Sequence, residues 1–457
     1  MKKIYYLLVF ILVFASGTSN AQSKKWTLEE CVEYALKNNI TIKQTELDIK
    51  STAIDKKAAF GSFLPTVNAN ASHSWNIGLN QNITTGLLEN QTTQFTSAGL
   101  NSGIDIYNGL QNQNRYRRAK LAIVAAQYQL DKMKDDVSLN VANAFLQILF
   151  NKENIKVQKE QLSNDEKQFA RTQELVNVGT IPRGDLLDVK ATVAADKQRV
   201  VAAENNLYLS KLSLAQLLQL ENFQEFDVAE TNYEAKPSEV MVQKPEDILA
   251  KAKEERVELK IAKTNLELAE KDVTIAKGAF MPSVSGFYSF STRASYSDRI
   301  VGVDGSGNPI FSGPLPLFDQ FSNNKGHNFG VQLNIPIFNG FVVKNNVERS
   351  KISLERTKIS KQQSELDLER NVYTAIIDAK GALNSYESAV TALEARQEAY
   401  NYAKERYAVG IMNAFDINQA QTLFVNAQSE VLRTKYDYIF KVKVVEFYFG
   451  IPISKIK

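Results

Sequence analysis

The chain has 457 residues, with 54 Lys+Arg against 51 Asp+Glu, two histidines and a single cysteine. A net charge of +3 leaves no basic surplus for a nucleic-acid partner. His73 and His327 lie far apart and lack ligand-type neighbours at metal-binding spacing, no cofactor motif is present, and Cys31 alone excludes an intrachain disulfide.

The first element is Met1-Lys2-Lys3, followed by apolar Ile4–Ala15 and the small-x-small site Ser19-Asn20-Ala21, which reads as a secretory signal peptide over 1–21. The apolar run is well short of the ~20 residues that span a bilayer. Its removal lowers the net charge from +3 to +1, and no cysteine follows that could carry a lipid anchor. An exported chain without a disulfide fits a Gram-negative periplasm or outer membrane. No later run is apolar enough for a transmembrane helix, so a membrane crossing would need strands in a closed barrel.

A helix over roughly 28–62 comes next and stops at Leu64-Pro65, because a residue before proline avoids the helical region. A strand hairpin follows at about 65–107. Val67, Ala69, Ala71, Trp75, Ile77 and Leu79 alternate with Asn68, Asn70, Ser72, Ser74, Asn76 and Asn80, then Ala98, Leu100, Ile104 and Ile106 alternate with Ser97, Asn101, Gly103 and Asp105. Strands of ~12 residues exceed the ~9–11 that a tilted strand needs to cross a bilayer. A face of Ser, Asn, Thr and Gly suits a water-filled lumen better than the core of a soluble sandwich.

The period then changes from two to seven. Val141, Ile148, Ile155, Leu162, Phe169 and Val176 form a heptad seam on a helix expected over about 110–176, which at ~1.5 Å per residue reaches roughly 100 Å. Val178-Gly179-Thr180 ends it. A return helix over about 185–219 carries Leu186, Val193, Val200, Leu207 and Leu214, and a polar, aperiodic segment at 221–244, expected to pack as a collar, closes the first part.

The sequence from 245 onward repeats this order. Gly61-Ser-Phe-Leu-Pro-Thr-Val67 returns as Gly278-Ala-Phe-Met-Pro-Ser-Val284, and Ile104-Asp-Ile-Tyr-Asn-Gly109 returns as Ile335-Pro-Ile-Phe-Asn-Gly340. From Gly99 onward the copies align without a gap at an offset of about 231, through Arg118/Arg349 and Asp185/Asp416. The expected domains are therefore a first repeat over 22–220, a linker over 221–244 and a second repeat over 245–457. The second repeat holds a leading helix over 245–279, a hairpin at about 283–338, a long helix at about 341–407, and a return helix at about 416–449. Phe329, Val331, Leu333, Ile335 and Ile337 form one face of its closing strand, and the loops 81–94 and 297–327 join the strands. Asp304–Asn308 resembles a calcium loop only faintly, with Pro309 and Leu315 where glycine and glutamate are required. Turn chemistry accounts for it.

Helices of this length cannot bury themselves within one chain of this size, and four strands cannot close a barrel when ~8 are needed merely to fill one. Neighbouring copies must complete both. The duplicated order of helix, Leu-Pro or Met-Pro, strand hairpin, Asn-Gly, long helix, Val-Gly turn, Asp and return helix resembles the TolC-like outer-membrane efflux protein family across essentially the whole mature chain.

The resemblance implies an α+β membrane protein. It would be a homotrimer whose four strands per chain close a twelve-stranded transmembrane β-barrel in outer-membrane lipid, continued by a long α-helical coiled-coil tunnel in the periplasm. It also implies a passive conduit rather than an enzyme, docked on a periplasmic adaptor and, through it, on an inner-membrane pump of RND or ABC type. The helix tips Val178, Gly179 and Thr180 and Val409, Gly410 and Ile411 are then the adaptor-facing surface. At the tunnel mouth, Tyr407 and Asp185 match two members of the family's polar latch, while Met412 and Gly184 replace its arginine and threonine. Asp416 matches one of two mouth aspartates and Gln419 replaces the other. Asp185, Asp188, Asp416 and Tyr407, with Arg183 or Arg406 as nearby bases, are the gate candidates, although Asp185 and Asp416 also read as variants of a helix-capping box. The rival reading is a periplasmic coiled-coil adaptor or scaffold without a barrel, against which the two amphipathic hairpins speak.

Overall fold

A computed structural model describes residues 25–231, 233–236 and 238–453, so the signal peptide expected over 1–21 lies outside the described residues. Strand β1 (Lys25–Trp26) leads into α1 (Leu28–Asn38) and α2 (Ile40–Gly61), the hairpin β2 (Thr66–Gln81) and β3 (Leu88–Asn108), the long helix α3 (Gln111–Asn177) and the return helix α4 (Arg183–Leu218). After β4 (Asp227–Val228) come α5 (Pro245–Glu255), α6 (Val257–Gly278), β5 (Ser283–Ser295), β6 (Arg299–Val303), β7 (Pro309–Ser312), α7 (Leu317–Asn323) and β8 (Gly326–Asn334). The chain finishes with α8 (Val342–Ala408) and α9 (Ala414–Tyr448). The two long helices each hold 67 residues, α1 and α5 each hold 11, and α2 and α6 each hold 22.

Each leading helix, expected as one piece, is broken once. At Asn39 the side chain competes with the helix: its Oδ1 accepts from the Thr41 amide at 2.9 Å and its Nδ2 donates to the Leu217 carbonyl at 3.0 Å. Arg256 breaks the other helix by a different route. Its guanidinium is buried, donates to Asp135 Oδ2 and Glu258 Oε1 at 3.1 Å each, and sits 3.8 Å over the Phe447 ring. The long helices begin one residue later than expected because Leu110 and Phe341 take positive φ, 59° and 66°.

The chain divides into two compact units, one of Asp48–Ala126 with Ala262–Lys361, the other holding the rest. The first contains the four-stranded antiparallel sheet in the order β2-β3-β5-β8, with β2 and β8 as open edges. The two hairpins share one register: Asn68 faces Asn101 and Ser285 faces Gln332. Strands β2 and β3 run 16 and 21 residues, longer than expected, and residues 88–94 of the expected loop belong to β3. The longer loop folds on itself as the β6–β7 hairpin and α7. Strand β8 stops at Asn334, short of the expected Ile337, because Asn334 lies opposite Ser283, the first residue of its only partner.

The second unit is helical, apart from the parallel pair β1–β4. Its core is the predicted seam: Val141, Ile148, Val372, Ala379, Leu214, Tyr438 and Val445 are all buried. Segment 221–244 is fastened there by Asp227, 2.8 Å from both Lys152 and Lys211. Burial alone would raise the Asp227 carboxyl, but hydrogen bonds and charge from the two ammonium groups outweigh it and hold it below the usual carboxylate range.

Candidate functional site

The sheet has the opposite polarity to a soluble core. Cross-strand pairs place Ala69 against Leu100, Leu100 against Phe290, Tyr288 against Phe329 and Val284 against Leu333 on one face. Trp75, Ile77, Leu79, Phe329, Val331 and Leu333 of that face are 60–83% exposed. The other face carries a polar ladder: Ser72 bonds Ser97 at 2.8 Å, Asn101 donates to Asn70 at 3.1 Å, and Ser289 donates to Asn101 at 2.7 Å. Phe287 stands on this polar face and covers Gly330, where a Cβ would meet the ring at 3.0 Å. No helix among the described residues is long and apolar enough to cross a membrane. The amphipathic sheet is thus the surface with membrane character.

The helical unit ends in two matching turns. Gly179 and Gly410 take φ of +78° and +79°, the left-handed conformation that lets a helix stop. The Thr180 amide donates to the Leu175 carbonyl at 2.9 Å and the Ile411 amide to the Arg406 carbonyl at 3.0 Å, the longer-range bond that satisfies carbonyls at a helix end. Val178, Val409 and Ile411 are left exposed beside these turns.

The carboxylates near the tips are not helix caps. Pro182 precedes α4 without a side-chain bond, and Asn413 caps α9 by accepting from the Asp416 amide at 2.8 Å. Asp185 and Asp416 each occupy the third helical position, where the positive end of the helix dipole favours an anion. Asp188 and Asp416 are exposed and Asp185 and Tyr407 half-buried. Among the described residues no hydrogen bond or ion pair joins these three aspartates or Tyr407 to Arg183 or Arg406. The return helices do meet beside them, where Asn418 donates to Thr192 Oγ1 at 3.4 Å.

One polar cluster escaped the sequence reading. Asp165 on α3 and Asp196 on α4 are 3% and 2% exposed. Gln161 and Gln421 give one amide hydrogen to each oxygen of Asp165, at 2.7 and 2.5 Å, and Arg199 reaches Asp196 Oδ1 at 3.0 Å. Burial, then the hydrogen bond with Asp165 and its negative charge, push the Asp196 carboxyl up to about 7. The proton this implies gives Asp196 Oδ2, otherwise without a partner, a hydrogen to share with Asp165. The signal was present in the heptads: Asp165 lies three residues after Leu162, Asp196 three after Val193, and Gln421 three before Phe424, all at the alternate core position.

Known proteins are similar to this chain over most of its length. Outer membrane protein TolC of Escherichia coli is 21% identical over 408 residues, covering 86% of this chain and 77% of that protein. The pyoverdine export outer membrane protein OpmQ of Pseudomonas aeruginosa is 22% identical over 444 residues, covering 92% of this chain and 86% of that one. Among solved structures, the Campylobacter jejuni CmeC outer membrane channel superposes with a TM-score of 0.74 at 20% identity, covering 94% of this chain and 87% of its own. Two of these relatives are outer membrane proteins and the third is an outer membrane channel, and they place the chain in the outer membrane. The model of the outer membrane efflux protein family matches residues 31–219 and 248–442, taking in both hairpins and both long helices, so the chain belongs to that family.

Proposed function

We propose that the chain is the outer-membrane channel-tunnel component of a tripartite efflux or type I secretion system, a passive exit duct with no chemistry of its own. The observation that carries this reading is the sheet, whose apolar face is exposed, whose opposite face is a hydrogen-bonded polar ladder and whose two edges are open. A bilayer is the solvent in which such a face is stable, and edges there must be paired. Three copies supply twelve strands around a polar lumen. The equal lengths of α1 and α5, α2 and α6, and α3 and α8 support two tandem structural repeats per chain.

The exposed tips at Val178, Gly179 and Thr180 and at Val409, Gly410 and Ile411 form the docking surface for a periplasmic adaptor, which connects the duct to an inner-membrane pump. Asp185, Asp188 and Asp416, repeated three times, concentrate up to about nine carboxylates at the periplasmic mouth, where they attract cations. Gly184 and Met412 cannot make polar latch contacts, so closure rests on helix packing around Tyr407 and on Asp185 with Arg183 or Arg406. Fractionation and electrophoresis test the reading: an outer-membrane protein with heat-modifiable migration is expected. Release with the soluble periplasm would instead indicate a coiled-coil adaptor.

A further inference from the structure

The helical unit is held together differently along its length. On α3, positions seven residues apart run Leu130, Val137 and Ala144, then Asn151, Gln158, Asp165 and Thr172 toward the tip. Leu130 and Val137 are buried, and so are Asn151, Asp165 and Thr172, so the row stays inside while its chemistry turns from apolar to polar. The polar stretch bonds its neighbours. Asn151 donates to the Asn206 carbonyl on α4 at 3.2 Å, Gln158 to Ser429 on α9 at 3.3 Å, and Gln421 of α9 to Asp165 at 2.5 Å. Apolar burial is lost when helices separate, whereas a hydrogen bond can be exchanged with water at small net cost. The tip half of the bundle is therefore the half that can open.

Asp165 and Asp196 lie within this half, where three helices meet. Gln161 and Gln421 both give amide hydrogens to Asp165, which marks it as the ionised member of the pair. From α4, Arg199 reaches Asp196 at 3.0 Å, while Lys197 is turned to Glu166 of α3 at 3.1 Å. Helix α8 contributes the Tyr400 phenol, which stacks on Phe424 at 5.6 Å and is raised by burial and by the charge of Asp165. Helix α9 contributes the neutral Gln421. One proton on the carboxyl pair balances the set, with an anionic Asp165, a cationic Arg199 and a neutral Asp196. Without that proton, two buried anions face one cation.

We propose that Asp165, Asp196 and Gln421 form a proton-controlled clasp that holds α3, α4 and α9 together above the tips. When the shared proton leaves to water, the two carboxylates repel, water replaces the amide bonds and the helices part. The inference rests on the channel reading and adds a regulator to it, because the clasp holds the helix ends that carry the mouth residues. Burial and Asp165 together push the Asp196 carboxyl up to about 7 in the closed bundle. In an opened bundle it meets water and titrates in the ordinary range near about 4. The open-to-closed ratio should then rise by up to about tenfold per pH unit between about pH 5 and about pH 7, and level off above.

Planar-bilayer recording of the purified full chain tests this, with the pH perfused over one inserted channel so that only assembled protein is measured. The wild type is expected to show that step reversibly. Asp196→Asn, which has no proton to lose, should hold the ratio at its low-pH value throughout. Asp165→Asn leaves Asp196 as the only carboxylate beside Arg199 and should move the step to lower pH, a shift that a purely structural role would not produce. A wild-type ratio that is flat across this range, or a step that survives unchanged in Asp196→Asn, overturns the clasp and leaves the channel reading standing. An oligomer without conductance at any pH contradicts the channel reading, and the clasp with it.

Discussion

The sheet and the helical bundle of this chain place their apolar residues in opposite directions. In the bundle, Val141, Ile148, Val372 and Tyr438 are buried, and the few charged residues that join them, such as Asp196 and Arg256, are held by polar partners. In the sheet, Ile77, Phe329, Val331 and Leu333 are exposed and serines and asparagines bond to one another. The period of the sequence tells the two regions apart: seven where helices bury an apolar seam, two where strands turn an apolar face outward and a polar face to the other side. Mutations should therefore have opposite consequences in the two regions.

The largest expected contrast lies within one strand. Leu333→Arg puts a cation on the lipid face at a cost of about 2–4 kcal/mol and should block assembly, whereas Asn334→Arg, on the polar face, should assemble and change conductance. Equal yields of outer-membrane oligomer from both variants would refute the face assignment. Next come the tips. Gly179→Val or Gly410→Val forces a branched side chain into a φ near +78° or +79°, a strain of about 1–3 kcal/mol. Export should fall strongly while oligomers persist; a double variant that still exports and still crosslinks to an adaptor would remove the tips from docking.

Smaller effects are expected inside the bundle. The Asp196 carboxyl, raised from its ordinary 3.8 to about 7, binds its proton more tightly folded than unfolded, so stability should fall as pH rises from about 4 to about 7 and then level off. Asp196→Asn should flatten that segment of the profile, because the amide keeps the contact with Arg199's neighbourhood without a proton to lose. Thermal unfolding of both proteins across this range measures it, and an unchanged slope would remove Asp196 as its source. Smallest should be the effect of Asp185→Ala with Asp416→Ala. Neither carboxylate caps a helix, so stability should change by no more than the ~0.3–1 kcal/mol of a dipole interaction, while cation preference and multivalent block weaken. Tyr407→Ala should raise the open conductance.

Much of this architecture could be read from the sequence because its strongest signals are periodic. Alternation in 67–79 and in 329–335 marked the two-faced strands, and the heptads through Val141 and Val372 marked the long helices. What escaped depends on single side chains acting against the local pattern. Nothing periodic marks Asn39, whose amide reaches a carbonyl far along the chain, or Arg256, whose break is held by Asp135, Glu258 and Phe447 from other elements. The end of β8 was missed because the pattern of Ile335 and Ile337 speaks of a strand, while a strand also needs a partner to bond. At the tips the sequence located Asp185 and Asp416 but attributed to them a capping role that Asn413 fills on α9.

Planar-bilayer recording of the purified full chain tests the central claim most directly. A passive duct with carboxylates at its mouth should insert as stepwise, cation-preferring conductance that needs no energy source and is blocked by multivalent cations. An intact oligomer that gives no conductance in such bilayers would contradict it.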